Sequence, residues 1–328
     1  MDEPIDLHCH LIPEPEASLR YLPMRFGTGA DREVVYYHGA SVGPIRSQLT
    51  DVDAAVDRMD RVGLSRGAVS VAPLSYRYDL DAAECLRWHA GLNDALAAAC
   101  ARHPRRLTAL GIVPLQDPAA AAAEARRAVD ELGMRGLEIG TRVVDRTLDD
   151  PALEPFWDAV EELGVALFIH PEHGPDPLWS DYYLVNLVGN PVQTTLAVAS
   201  LIFGGVLDRH PALRFWLAHG GGAVPSLAGR LTHGWRVRPE PRRRGAGNPM
   251  QILARNFWFD SLTHDPATTA ALITRFGADR VVLGSDSPFD MQDDDPWASL
   301  CQAAPDPADR RRVVRASHAL LQPPPIPA

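Results

Sequence analysis

Lysine is missing from this sequence, so arginine supplies all 32 of its basic residues. A catalytic amine that forms a Schiff base, a lysine-bound pyridoxal phosphate and the lysine of a phosphate-binding P-loop are therefore excluded. A pair of metal ions bridged by a carbamylated lysine is excluded for the same reason. The absence thus removes several large classes of enzyme.

Cysteine is also scarce, and the net charge is far from positive. The four cysteines, Cys9, Cys85, Cys100 and Cys301, include no Cys-x-x-Cys pair, which favours reduced thiols over a zinc knuckle or a disulfide framework. The formal charge of −10 argues against general binding to nucleic acid or to anionic membranes. No apolar run reaches the roughly 20 residues that span a bilayer, and MDEPIDLHCH does not resemble a signal peptide. We therefore expect a cytoplasmic protein.

Short apolar runs alternate with helix-like segments along most of the chain. Its 328 residues are 46% apolar, which is enough for a large core. Eight of the runs read as strands buried on both faces. They are residues 5–8, 67–72, 107–113, 136–139, 165–170, 213–219, 256–260 and 280–284. This alternation predicts an α/β fold, a (β/α)₈ TIM-like barrel that occupies residues 1–328 as a single domain.

Three stretches interrupt the alternation. Residues 12–50 are rich in proline, glycine and tyrosine and predict a small cap subdomain inserted after strand 1. Residues 238–249 predict a mobile surface loop, and residues 318–328 predict an extended tail. A doubly wound open sheet is the main alternative fold, but it requires a glycine-rich phosphate turn where this chain has LHCHLIP.

Five groups able to bind a metal or transfer a proton lie at predicted strand ends, where such barrels place their catalytic residues. Strand 1 carries His8 and His10, whose spacing directs both imidazoles to one side. Strand 5 ends at His170, strand 6 ends at His219, and Asp286 follows strand 8. Imidazoles with one carboxylate suit Zn²⁺, with Mn²⁺ or Fe²⁺ as alternatives.

Each of these residues has an ordinary structural explanation when it is taken singly. His170 and His219 would more often be core or loop histidines, and Asp286 would be a loop acid. His8 and His10 are harder to explain in this way, because two histidines in a buried strand are costly without partners. The set as a whole predicts the metal site.

The sequence resembles the amidohydrolase-related metal-dependent decarboxylases (amidohydrolase family 2), the family that contains α-amino-β-carboxymuconate-ε-semialdehyde decarboxylase. The matching stretches are IDLHCHLIP, the block from LVGNPVQTT to HGGGAVPSLAGR, FWFDSLTHDP and DRVVLGSDSPF. The resemblance implies a distorted (β/α)₈ barrel with a small inserted subdomain. It also implies one metal ion, usually zinc, on His8, His10, His170 and Asp286, with His219 as the acid/base that activates the metal-bound water.

The resemblance implies substrate contacts as well. Arg46 takes the place of an arginine that binds the substrate carboxylate, and Arg230 matches one that reaches into the neighbouring subunit's active site, which implies a homodimer. Guanidinium groups bind carboxylates through two hydrogen bonds, although each arginine would otherwise form a surface ion pair of little energy. Asn186 replaces a pocket tryptophan of the semialdehyde decarboxylase, and Phe289 is retained.

These observations predict the non-oxidative decarboxylation of a small unsaturated or aromatic carboxylic acid without an organic cofactor. Hydrolysis or hydration by the same residues is the first alternative, and a barrel without catalysis that serves as a binding module is the second. Because Asn186 changes the pocket wall, the resemblance does not extend to one named substrate.

Overall fold

Twelve strands lie in the part of the chain that this computed structural model describes, which is residues 3–13, 22, 24–37, 39–172 and 179–322. In chain order they are β1 (Ile5–His10), β2 (Met24–Phe26), β3 (Val35–Tyr37), β4 (Ala40–Gly43), β5 (Arg66–Ser70), β6 (Leu107–Ala109), β7 (Gly111–Ile112), β8 (Gly136–Ile139), β9 (Ala166–Ile169), β10 (Arg214–Leu217), β11 (Phe257–Asp260) and β12 (Val281–Val282). All except β2, β3 and β4 run parallel to their neighbours.

The parallel strands close into a barrel with eight strand positions. One sheet has the order β1-β5-β6 and the other the order β12-β11-β10-β9-β8-β7. At the first seam, β6 and β7 are two pieces of one strand, and Leu110 between them donates its N–H to the Val69 carbonyl at 2.9 Å. At the second seam, Leu7 donates to the Leu283 carbonyl at 2.8 Å, and Cys9 forms a parallel bridge with Ser287. The predicted fold class is confirmed.

Twelve α-helices of the described residues pack mainly around the strands. They are α1 (Arg46–Thr50), α2 (Val52–Arg61), α3 (Ala82–Ala101), α4 (Pro118–Arg126), α5 (Glu154–Leu163), α6 (Asn190–Phe203), α7 (Val206–Arg209), α8 (Val224–Val237), α9 (Pro249–Asn256), α10 (Pro266–Phe276), α11 (Pro296–Ala303) and α12 (Pro307–Leu320). Five of them, α4 and α9 to α12, begin with proline after an Asp or Asn whose side chain accepts a backbone N–H. This pairing of cap and proline sets where each helix begins.

Apolar side chains fill the lower part of the barrel interior. Phe168 and Trp216 stack with ring centroids 5.1 Å apart, and the Trp216 indole donates to the Leu7 carbonyl at 3.2 Å. Ala316 and Leu320 of α12 belong to the same buried cluster. Because this end is packed with apolar groups, polar chemistry is confined to the opposite, carboxyl end of the strands.

The insertion after β1 contains the antiparallel sheet β2-β3-β4 together with α1. Ile12 donates its N–H to the Leu49 carbonyl at 2.7 Å, which ties the two ends of the insertion together. Residues 14–21, 23 and 38 of the predicted cap lie outside the described residues. Residues 238–249, predicted as a loop, include a short 3₁₀ turn at Glu240–Arg242.

The predicted tail begins later than the sequence indicates. Helix α12 continues to Leu320, past residue 318, because Leu320 is buried beneath the barrel and extends the helix's apolar face. Residues 323–328 of the predicted tail lie outside the described residues.

One apolar stretch, Val185–Phe203, joins a π-helical turn to α6. It is 19 residues long with a mean hydropathy of 1.2, so length and composition alone would allow it to cross a membrane. Half of it is buried inside the protein, as expected for a helix that packs against a barrel. Its exposed apolar side chains include Leu187, Val188 and Leu196.

A single carboxyl group of β8, that of Glu138, is fully buried in the barrel. Glu138 pairs in register with Phe168, so both side chains project from the same face of the sheet. Neither Glu138 oxygen has a hydrogen bond of normal geometry within the described residues. Burial raises the pKa of Glu138 to about 8, although the nearby Tyr76 and Ser70 hydroxyls act to lower it. The group is therefore mostly neutral at pH 7.

The Glu138 carboxyl should make stability fall as the pH rises. In the unfolded chain it ionises near its ordinary pKa of 4.5, whereas the folded chain keeps the proton up to about pH 8. Between these values the unfolded state gains by releasing the proton, so this group lowers the free energy of unfolding by about 1.4 kcal/mol per pH unit. Glu138→Gln removes the group, and its stability relative to the wild type should grow across this range in urea unfolding. Parallel pH curves for the two proteins would contradict a neutral Glu138.

Candidate metal centre

Four histidines and one aspartate converge at the carboxyl end of the barrel. His8 and His10 belong to β1, His170 follows β9, His219 follows β10 after one residue, and Asp286 follows β12. The ring centroids of five imidazole pairs lie between 5.0 and 5.2 Å apart. The structure thus brings together all five groups that the sequence places at strand ends.

Asp286 lies at the centre of this cluster. Its Oδ1 is 3.3 Å from His8 Nε2 and 3.2 Å from His10 Nε2, and its Oδ2 is 3.4 Å from His219 Nε2. One ligand atom from each of His8, His170, His219 and Asp286 lies within 4.8 Å of the others. This group includes His219, and His10 Nε2 adjoins it through its 3.2 Å contact with Asp286 Oδ1.

The donor atoms fit a single divalent cation. His8 Nε2, His10 Nε2, His170 Nε2 and Asp286 Oδ1 are buried and have no hydrogen bond of normal geometry among the described residues. Buried polar atoms without a hydrogen bond of normal geometry are rare, and four of them facing one space fit the binding of a cation. Neutral imidazoles with one carboxylate are ligands of Zn²⁺ and Mn²⁺.

The second nitrogen of each inner imidazole is already engaged. His8 Nδ1 is 2.7 Å from Asp260 Oδ2, His10 Nδ1 is 3.1 Å from a main-chain carbonyl, and His170 Nδ1 is 2.7 Å from another. An acceptor at Nδ1 keeps the proton there and leaves the Nε2 lone pair for a metal.

A buried hydrogen-bonded network holds the loop of Asp286. The Arg58 guanidinium donates to the hydroxyls of Ser285 and Ser287, which flank Asp286, and lies 3.5 Å from the Asp6 carboxylate. Asp6 also accepts the Ser285 N–H at 3.1 Å. Asp286 has a φ of 61°, in the left-handed region that aspartate tolerates better than most residues. The network therefore maintains a conformation that the loop would not favour alone.

The charges in the cluster are strongly coupled. Burial alone would lower the pKa of His8, but the carboxylates of Asp286 and Asp260 raise it to about 10. Burial would raise the pKa of Asp286, but His8, with hydrogen bonds from His10 and His219, holds it well below its ordinary range. Burial lowers the pKa of His10. Without a metal, the site therefore keeps a proton on His8 beside an ionised Asp286.

An open cavity of about 890 Å³ adjoins the cluster. His219 and Asn186 both line it, together with His264 and Arg275. The ring of Phe289 lies 5.5 Å from that of His10. Asn186 therefore lines the cavity, and Phe289 lies beside a predicted ligand; a role for either residue in substrate binding stays a prediction.

The two predicted carboxylate-binding arginines lie on outer elements. Arg46 begins α1, and its guanidinium stacks over the ring of Phe26 at 4.3 Å. Arg230 is exposed on α8. Their contacts with a substrate remain predictions.

The sequence model of the amidohydrolase family matches residues 5–316. The chain belongs to the amidohydrolase family. Among similar amidohydrolases, the 2-amino-3-carboxymuconate-6-semialdehyde decarboxylase of Dictyostelium discoideum is 34% identical over 299 residues, which cover 88% of this chain and 82% of that protein. The gamma-resorcylate decarboxylase of Rhizobium sp. strain MTP-10005 is 29% identical and covers 83% of this chain and 87% of its own.

Solved amidohydrolase structures share the fold over nearly the whole chain. The 5-carboxyvanillate decarboxylase of Sphingomonas paucimobilis has a TM-score of 0.84 and 26% identity, covering 98% of this chain and 99% of that one. A dihydroxybenzoic acid decarboxylase of Polaromonas sp. JS666, solved with bound manganese and 2-nitroresorcinol, has a TM-score of 0.80 over 98% of this chain and 97% of its own. Because the Polaromonas enzyme is 23% identical to this chain, its similarity is evidence for a shared fold and not for a shared function.

Three residues of this amidohydrolase site, Asp260, Asp6 and Arg58, received no role from the sequence, although Asp6 lies within IDLHCHLIP and Asp260 within FWFDSLTHDP. Asp260 ends a predicted strand, and Asp6 lies two residues before His8 in another. An acidic residue within a buried strand is a signal that could have identified both. Arg58 carries no comparable signal, because it lies within a helix and the two serines that it binds are more than two hundred residues away.

Metal affinity should rise with pH, because the metal must displace the proton that His8 holds up to about pH 10. One released proton corresponds to about a tenfold gain in apparent affinity per pH unit between about pH 6 and pH 8. Calorimetric titration with Zn²⁺ or Mn²⁺ in buffers of different ionisation enthalpy measures both the affinity and the number of protons released. An affinity independent of pH, with no proton release, would rule out a protonated His8 in the metal-free protein.

Proposed function

We propose that this amidohydrolase is a metal-dependent, non-oxidative decarboxylase of a small unsaturated or aromatic carboxylic acid. The main observation in support of this activity is that four imidazoles and Asp286 converge beside an open cavity. The family relation supports it, since the curated relatives that resemble most of this chain are named as decarboxylases of such acids.

The solvent exposure of each side chain in the cluster distinguishes the metal ligands from the acid/base. His8, His10, His170 and Asp286 would hold the metal, because their donor atoms are buried and have no hydrogen bond of normal geometry among the described residues. The His219 side chain is 19% exposed, whereas that of His10 is 0% exposed, and His219 lines the cavity. His219 is therefore the group that can exchange a proton with a substrate, and we assign it the role of acid/base.

The reaction would use these groups in a balanced sequence. When bound, a divalent metal supplies a positive charge that polarises a substrate oxygen. His219 transfers a proton towards the carbon that bears the carboxylate. The carbon–carbon bond then breaks, its electron pair returns to the π system, and carbon dioxide leaves. No external oxidant or reductant is needed.

Zinc is the metal we propose first, from the ligand set. Manganese is the main rival, because related decarboxylases are solved with bound manganese. Metal analysis of the purified protein, followed by reconstitution with each ion, separates the two.

We further propose that the substrate carboxylate is bound by Arg46 and by Arg230 of a second subunit in a homodimer. Arg230 makes no hydrogen bond or ion pair with any residue that the structure describes, so it is free to contact another chain. Exposed apolar side chains on the neighbouring segment, Leu187, Val188 and Leu196, offer surface for a subunit interface.

Carbon dioxide release from metal-loaded protein tests the proposed reaction. Candidate substrates are the acids named for the relatives, including gamma-resorcylate and 5-carboxyvanillate. We expect His219→Ala to lower kcat by about 10²–10⁴-fold, as is usual when a general acid/base is removed, while the protein still binds metal. Full activity in His219→Ala, or after chelation of the metal, would refute the mechanism.

Mixed dimers test the contribution of Arg230. His219→Ala and Arg230→Ala should each be inactive alone, but a heterodimer of the two rebuilds one complete site, so random mixing restores about a quarter of wild-type sites. Arg46→Ala is the matched control, because it lies in the same subunit as its own His219 and cannot be complemented in this way. Equal recovery in both mixtures, or in neither, would argue against an arginine supplied by the partner.

A further inference from the structure

Asp260 is a carboxylate that ends β11 and is fully buried. Its Oδ2 lies 2.7 Å from His8 Nδ1 and accepts the backbone N–H of His219 at 3.0 Å. Its Oδ1 accepts the backbone N–H groups of Gly220 at 2.6 Å and Leu262 at 3.2 Å. One carboxylate therefore contacts both the ring of a metal-ligand candidate and the backbone of the acid/base candidate.

The turn that carries His219 needs such an anchor. His219 has a φ of 55°, and the three glycines that follow it also have positive φ values. A Cβ at Gly221 would lie 2.6 Å from the Phe259 ring, and one at Gly222 would lie 2.4 Å from the Pro191 carbonyl oxygen. The turn is thus built from conformations that glycine alone adopts readily. It is packed closely against β11, where Asp260 receives its first two N–H groups.

The Asp260 carboxylate forms its ion pair with a residue of the metal-binding cluster. Among the described residues, the ion-pair partner of Asp260 is His8, at 2.7 Å. Asp6, the other fully buried aspartate of the barrel end, differs in having Arg58 as a cationic partner at 3.5 Å. A buried carboxylate requires compensation by opposite charge and hydrogen bonds. For Asp260 the compensating charge belongs to the metal-binding cluster itself.

We propose that Asp260 is a positioning residue that couples metal binding to proton transfer. Through Oδ2 it keeps the proton of His8 on Nδ1, so that Nε2 faces the metal position. Through the same oxygen and through Oδ1 it holds the turn that aims His219 into the cavity. A change in the position of the carboxylate therefore moves both groups together. The part concerning His219 rests on the proposed function, whereas the part concerning metal binding does not.

Asp260→Asn tests this coupling with almost no change in size. An amide has one oxygen, so it can still accept the N–H groups of Gly220 and Leu262. Its NH₂ group then faces His8 Nδ1 and the His219 N–H, which are both donors. Either His8 moves its proton to Nε2, where it blocks metal binding, or the turn shifts. We expect metal affinity to fall by about 10–100-fold, the usual cost of losing such a partner of a metal ligand.

Two readouts separate positioning from a purely structural role. The first is the affinity for Mn²⁺ alone, measured by electron paramagnetic resonance without substrate. The second is kcat at saturating metal, which we expect to stay at least tenfold below that of the wild type because the turn of His219 is displaced. Asp260→Glu keeps the charge but moves the carboxylate, and it should change both readouts in the same direction. It also serves if Asp260→Asn fails to fold.

Glu124→Gln is the matched control. Glu124 is a buried carboxylate of α4 that binds Asn93 and Arg127, away from the cluster. Its loss should lower the melting temperature without changing Mn²⁺ affinity or kcat.

If the Asp260 variants behave like this control, the proposal is overturned. A loss of affinity with normal kcat at saturating metal would overturn the coupling. If the wild type binds Mn²⁺ but decarboxylates no acid, the proposed function fails. The Mn²⁺ affinities of the Asp260 variants still test whether Asp260 positions His8 for metal binding.

Discussion

The Asp286 carboxylate is the constraint on which the carboxyl end of the barrel depends. It is ionised and almost completely buried, and a charge in such a place is tolerated only with close compensation. The compensation comes from imidazoles on two different strand positions, β1 and β10. The barrel is the structure that brings those positions together, because all its parallel strands end on the same side. The fold of the barrel is therefore what brings the residues of the metal centre together.

The groups around this carboxylate are arranged in successive shells. The inner atoms are Asp286 Oδ1 and the Nε2 atoms of His8, His10 and His170, which face one another without a hydrogen bond of normal geometry among the described residues. The Nδ1 atoms of His8, His10 and His170 contact Asp260 and two main-chain carbonyls, and Asp6 with Arg58 holds the Asp286 loop. Such rigidity has a local cost, since Asp286 and His219 both adopt left-handed backbone conformations. The apolar packing of the barrel floor, around Phe168 and Trp216, supports this strained upper layer.

The elements that sequence predicts well are those with a local cause. Strands buried on both faces are short apolar runs, and helices that begin with Asp-Pro or Asn-Pro have a local start signal, so both are visible in the chain. The five clustered residues were predictable because strand ends meet in a barrel. The contacts of Asp260 and Arg58 were not predictable, because they join residues 252 and 229 positions apart and leave no periodic pattern. The antiparallel sheet β2-β3-β4 was missed for a related reason, since its strands have three or four residues each.

Substrate choice must lie outside the cluster. The relatives named above act on different acids, yet they share this fold over most of their length. A metal with three imidazoles and a carboxylate recognises an oxygen atom, which all these acids possess, and so it cannot distinguish among them. Discrimination requires walls that match the rest of the molecule. Under the proposed function, those walls in this chain are the residues that line the cavity, among them Asn186, whose amide can donate and accept hydrogen bonds. Under the proposed function, the strand ends of this chain thus supply the chemistry, and the residues around the cavity select the substrate.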